Sequence, residues 1–211
     1  MGAIASAAEL GVTFSEEVRA ALEAHEQLQG NKDFYISLID GREMKEMRSA
    51  LQGIEVFADL LPLWTDGNSN YYAVYDKGPL QGRVCYLNHE ETDNSPVFRS
   101  ILSLVRALER DPQADADELE ADYPPARDID SRWIEEDLTA IEGLRRQLSE
   151  RQHDDELRLQ LLMSIMALTP YDRLDTLLMY LEDEDPYVRE RAEWIFKHHG
   201  VSPGKLRWER T

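Results

Sequence analysis

A change of composition between residues 111 and 130, DPQADADELEADYPPARDID, constrains this chain more than any other feature. Acidic side chains and three prolines leave the stretch little to bury, so it reads as a linker. Runs rich in β-formers occur only before it. After it, apolar residues recur at helical spacing throughout. A chain of 211 residues is long enough for two such parts, one before and one after the change. The expected division is 1–110, a linker over 111–130, and 131–211.

In the first part, Thr13–Gly30 has helix signals at both ends. Thr13 with Glu16 makes a capping box, and Gly30 makes a C-terminal stop. Val18, Ala21, Leu22, His25 and Leu28 share one face of this helix. Asp33–Ile39 reads as a strand, and a short helix follows with Met44, Met47 and Leu51 on one side. Asn70–Tyr75 and Arg83–His89 are β-rich runs bounded by the turns DGNSN and KGPLQG, the pattern of a hairpin with a longer loop. Ser95 then reads as an N-cap with Pro96 at the first helical position. Phe98, Ile101, Leu102, Val105 and Leu108 form the buried face of the helix that follows.

In the second part, Ile134, Leu138, Ile141, Leu144 and Leu148 mark one helix. Others are expected over Asp155–Leu168, Tyr171–Leu181 and Asp185–His199. The last has Asp185 as N-cap, Pro186 at the first position and Gly200 as its stop.

Twenty-three Lys and Arg against 42 Asp and Glu give a formal net charge of −19. Such a field repels nucleic-acid phosphates and anionic membrane surfaces, and it attracts basic proteins. No apolar run approaches the length of a membrane span. A single cysteine, Cys85, cannot form an internal disulfide, which fits a cytoplasmic setting. The start MGAIASAAEL lacks the basic region of a secretory signal, although Gly2 and Ser6 match the short myristoylation pattern.

Residues 61–90 are the densest run of aromatic and glycine residues, and the obvious place to look for chemistry. Asp66, Asn68 and Asn70 fall at the first, third and fifth positions of a calcium loop. The sixth and twelfth positions, Tyr71 and Lys77, lack the glycine and the bidentate glutamate such a loop requires. Cys85 and His89 would face the same way on a strand, but roughly 13 Å apart, too far for a nucleophile and its base. No Cys/His spacing suits zinc, no glycine loop suits phosphate, and the carboxylates form no acid/base pair. The residues therefore predict neither an enzyme nor a bound cofactor or metal.

The run also resembles a family. Pro62, Gly67, the aromatic run Tyr71–Tyr75, the segment Gly82-Arg83-Val84-Cys85-Tyr86-Leu87, His89-Glu90 and Phe98 occupy the places of the SUKH superfamily pattern over residues 13–109. One departure is Ser95-Pro96-Val97, where that pattern commonly has Ser-Phe. The resemblance implies an α+β fold, a curved and mainly antiparallel sheet with packed helices. It also implies a non-enzymatic binding protein, since the family includes fungal cell-wall regulators and many bacterial immunity proteins, the bacterial members commonly neutralising a toxin. The segment LDTLLMYLEDEDPYVRERAEWIFKHHG resembles a HEAT-type helical unit, with Val188, Ala192, Ile195 and Phe196 inward and Arg189 holding the turn.

Charge then gives the partner a character: a basic toxin domain, such as a nuclease with a cationic cleft. A partner is expected at the Asp66–Asn70 turn and the Asn88–Asp93 loop, because strand-end loops carry recognition. The contact residues this predicts are Trp64, Asp66, Asn68, Asn70, Tyr72, Asp76, His89, Glu90, Glu91 and Asp93. The alternative is a regulatory scaffold that docks partners through the C-terminal helices, and oligomeric state is left open.

Overall fold

Leu60–Thr65 and Tyr71–Tyr75 are joined by a tight polar turn, and every residue of the pair except Thr65 and Tyr71 is buried. In the computed structural model, which describes residues 2–90, 92–150 and 154–208, they form the centre of a five-stranded antiparallel sheet. The strands follow one another in sequence order: β1 (Ser37–Leu38), β2 (Leu60–Thr65), β3 (Tyr71–Tyr75), β4 (Val84–Leu87) and β5 (Pro96–Phe98). The protein is thus α+β. It divides into two compact units, Met1–Asp122 and Tyr123–Thr211.

The first unit holds the sheet with α1 (Ala3–Glu9), α2 (Glu16–Gln29), α3 (Gly41–Gln52) and α4 (Ile101–Arg110). Alternation sends Tyr72, Val74 and Val84 to one face, where they join Leu61, Trp64, Phe98, Leu22, Leu104 and Leu108 in one apolar core. Leu60, Ala73, Tyr75 and Cys85 point to the other face and are also buried. There the Tyr75 hydroxyl donates to the Asn94 carbonyl (2.7 Å), and the Asn94 amide donates to the Val56 carbonyl (2.7 Å). These bonds hold the flanking loops over that face.

Several expectations shift. The Asp33–Ile39 strand contracts to Ser37–Leu38, because Tyr35 donates instead to the Pro112 carbonyl (2.8 Å). The cap of α2 is Ser15, whose hydroxyl accepts from the Val18 amide (3.3 Å), not Thr13. Ser95-Pro96 does not start a helix. Pro96 lies in β5 at the edge of the sheet, where a missing N–H costs no ladder bond. The helix begins five residues later, with Ser100 and Ser103 capping each other. Phe98 therefore reaches the core from a strand. Residues 111–122, expected in the linker, pack on the first unit through Ala114 and Leu119, which are 2 % and 8 % exposed.

The second unit contains α5 (Ser131–Glu150), α6 (Asp155–Leu168), a three-residue-per-turn helix (Tyr171–Glu182), α7 (Pro186–His198) and α8 (Pro203–Trp208). From Gln160 onward α6 is buried on all sides, as expected of a helix packed between α5 and α7. Val188, Ala192, Ile195 and Phe196 all lie inside. Arg189 Nη1 donates to the carbonyls of Asp183 (2.6 Å) and Glu184 (2.9 Å), so this side chain holds the turn before α7.

Candidate functional site

One carboxylate builds the turn between β2 and β3. Asp66 Oδ1 accepts from the amides of Asn68 (2.8 Å) and Asn70 (3.4 Å), and Oδ2 accepts from the Asn70 side chain (2.8 Å). The turn passes through positive φ at Gly67 (76°) and Ser69 (67°); glycine does so freely, and the serine is held there by its neighbours. The other end of the Asn70 amide reaches across to the next loop. Its Oδ1 accepts from the His89 backbone amide (3.0 Å) and lies 2.8 Å from His89 Nδ1, which carries the proton because the oxygen only accepts. Asn70 thus ties the Asp66–Asn70 turn to the loop after β4, and the two expected recognition loops form one surface.

Aromatic and acidic side chains gather at this end of the sheet. On one face the half-buried Tyr86 stacks on Tyr72, with ring centroids 4.9 Å apart. Its phenol is pushed up to about 12, by burial first and then by Asp66, Asp117, Tyr35 and Asp115, whose fields all reach it. Tyr35 is 43 % exposed. On the other face, the Tyr71 hydroxyl donates to Glu43 Oε1 (3.1 Å), and Tyr71 is likewise raised, by burial, that bond, and the charges of Glu43 and Asp66. Carboxylates thus lie near Tyr71 and Tyr86, whose hydroxyls stay protonated at neutral pH.

The predicted contact residues divide. Asp66, Asn68, Asn70, His89 and Glu90 lie at this end, with Asn68, His89 and Glu90 exposed. Asp93 is half-buried near the close of the same loop and accepts from the Ser95 amide (2.8 Å). Glu91 lies outside the described residues. Trp64 and Tyr72 are corrections: at 0 % and 2 % exposed they fill the core and present no surface at this end, because helices and loops cover both faces of the sheet. Asp76 is another. It sits beyond the opposite end of β3 and pairs with buried Arg48, so it is a structural charge. Tyr35, Tyr71, Tyr86, Asp115 and Asp117 were not predicted. The two aspartates sat in the apparent linker, and nothing local signals that this segment folds back.

A hollow of about 230 Å³ lies near Asp76, lined by Thr13, Ser15 and Ser100 together with Val12, Phe14 and Ile101. Its groups are committed: Ser15 caps α2, Ser100 caps α4, and Asp76 pairs with Arg48. Cys85 is fully buried, with its thiol pushed up by burial and by Asp93, whereas His89 is exposed and bound to Asn70. Among the described residues no group of three or more His, Cys, Asp or Glu side chains is placed to hold a metal ion, and no helix is long and apolar enough to cross a membrane.

No family model, curated protein or solved structure matches this chain at a significant level. The class the fold defines is therefore an α+β sheet unit with a separate helical unit.

Proposed function

We propose that this chain is a non-enzymatic, cytoplasmic binding protein of the immunity type, which neutralises a basic, nuclease-like toxin by covering its cationic cleft. The observation that carries the reading is the sheet end, where the charges of Asp66, Asp115 and Asp117 reach the half-buried Tyr86 and the exposed Tyr35 lies near it, beside the Asn70–His89 tie. Rigid tyrosines supply contact area at small entropic cost, and carboxylates around them speed encounter with a basic partner and fix its orientation. The SUKH-like pattern over residues 13–109 supports the same reading. The test is binding of the full chain to a toxin-like domain encoded by a neighbouring gene, at low and high salt. Affinity is expected to fall as salt rises, and no binding at either salt would refute the reading.

A scaffold role for the helical unit is a second reading. Tyr187 and Trp194, 63 % and 44 % exposed on α7, favour it. Loss of partner binding on Trp194→Ala, with Glu90→Lys silent, would select it.

A further inference from the structure

α7 carries two stripes. Val188, Ala192, Ile195 and Phe196 are at most 2 % exposed and anchor the helix to its own unit. Beside them, Tyr187, Arg191, Trp194 and His198 fall at i, i+4, i+7 and i+11, which lines them along the helix. Trp194 is exposed yet ordered by its neighbours: the Arg191 guanidinium lies 4.8 Å from its ring centroid, and the His198 ring lies 5.2 Å away at 33°. Trp, Tyr and Arg are the side chains that most often anchor protein interfaces.

Charge selects the occupant. No carboxylate falls on this stripe, although the chain as a whole carries −19. A basic partner gains nothing here. A second copy, repelled by acidic surface elsewhere, meets little repulsion on this line. The exposed flank also carries both signs, with Glu190 and Lys197 on the same side of the stripe. Turned end for end about a two-fold axis near Trp194, the flank faces itself. Glu190 of each copy then comes opposite Lys197 of the other, and the two Trp194 stacks meet at the centre. We propose that α7 pairs antiparallel with α7 of a second copy of this chain, the self-complementary contact that a two-fold dimer requires. A single helix pair is at the small end of specific interfaces, so the expected dissociation constant is on the order of 10–100 µM.

The test is analytical ultracentrifugation of the full chain over a concentration series spanning that range. A monomer–dimer equilibrium is expected, weakened at least ~10-fold by Trp194→Glu, with the circular dichroism spectrum unchanged and the thermal melt unchanged at concentrations well below the dimer range. Glu190→Lys and Lys197→Glu should each weaken the dimer, and the two together should restore it. A monomer at every concentration overturns the pairing and leaves the stripe to an acidic partner of another kind. A dimer indifferent to Trp194→Glu also overturns it. A dimer that Trp194→Glu weakens but the double swap does not restore overturns the antiparallel arrangement. None of these outcomes depends on whether the sheet end binds a toxin.

Discussion

Arg48 and Asp76 have side chains 5 % and 10 % exposed and form an ion pair beneath the sheet, where Arg48 also donates to the Leu60 carbonyl. Burial pushes the Asp76 carboxyl above its ordinary value, and the guanidinium opposes that shift. Removing one partner leaves the other charged in an apolar setting, whereas removing both does not. Arg48→Met should therefore cost about 3 kcal/mol in urea denaturation, and Arg48→Met with Asp76→Leu should recover most of it. Equal losses in the single and double variants would contradict this. His25 presents the opposite sign. It is fully buried on α2, with Nδ1 3.1 Å from Glu109 Oε1 and Nε2 3.0 Å from the Gln29 amide. Gln29 in turn donates to the Ile36 carbonyl and accepts from the Leu38 amide, which fixes its amide nitrogen toward the imidazole. Nε2 is thus an acceptor with no room for a proton. Burial lowers His25 below its ordinary 6.5, against the raising effect of Glu109. Below pH 6.5 the unfolded chain binds this proton more readily than the folded one, so stability is lost as pH falls toward the depressed folded value. Denaturation midpoints measured from pH 7 to pH 5 should fall less steeply for His25→Gln than for the unaltered chain.

Elements were legible where local signals and tertiary placement agree. α7 is the clearest case: Asp185 accepts from the Tyr187 amide (2.8 Å), Pro186 takes the first turn, and Gly200 has φ +63° after the helix. The hairpin β3–β4 was equally plain, since its alternation matches a sheet. β2 was not read as a strand; its Leu-Pro-Leu-Trp segment carries a proline, and the pairing with β3 shifts register between Pro62 and Trp64. Ser95-Pro96 misled for the converse reason: a serine and a proline open a helix by sequence, but edge-strand pairing with β4 outweighs that signal. The true cap makes α4 testable, and Ser100→Ala should cost about 1 kcal/mol in a denaturation experiment. The loops of the site were readable as loops, through their glycines and Asx residues. Their joining through Asn70 was not, because a contact between residues 70 and 89 leaves no local trace.

On the scale of the whole molecule, a net charge of −19 says that a basic partner is favoured, but not where it binds. On the proposed reading the place is the end of the sheet where residues 35, 66, 86, 115 and 117 come near one another, a gathering that composition and periodicity do not contain. Two of the most exposed contributors, Glu90 and Asp117, build no part of the Asp66 turn, so altering them should leave the fold intact. The central claim is that this acidic, tyrosine-bearing end is the surface that captures a basic partner. Calorimetric titration of the toxin-like domain into the full chain and into Glu90→Lys with Asp117→Lys, at low and high salt, tests it most directly. The account predicts that the double reversal weakens binding at least ~10-fold at low salt, with a smaller loss at high salt where screening has already removed part of the attraction. Affinity unchanged by the reversal, with the variant still folded, would contradict it.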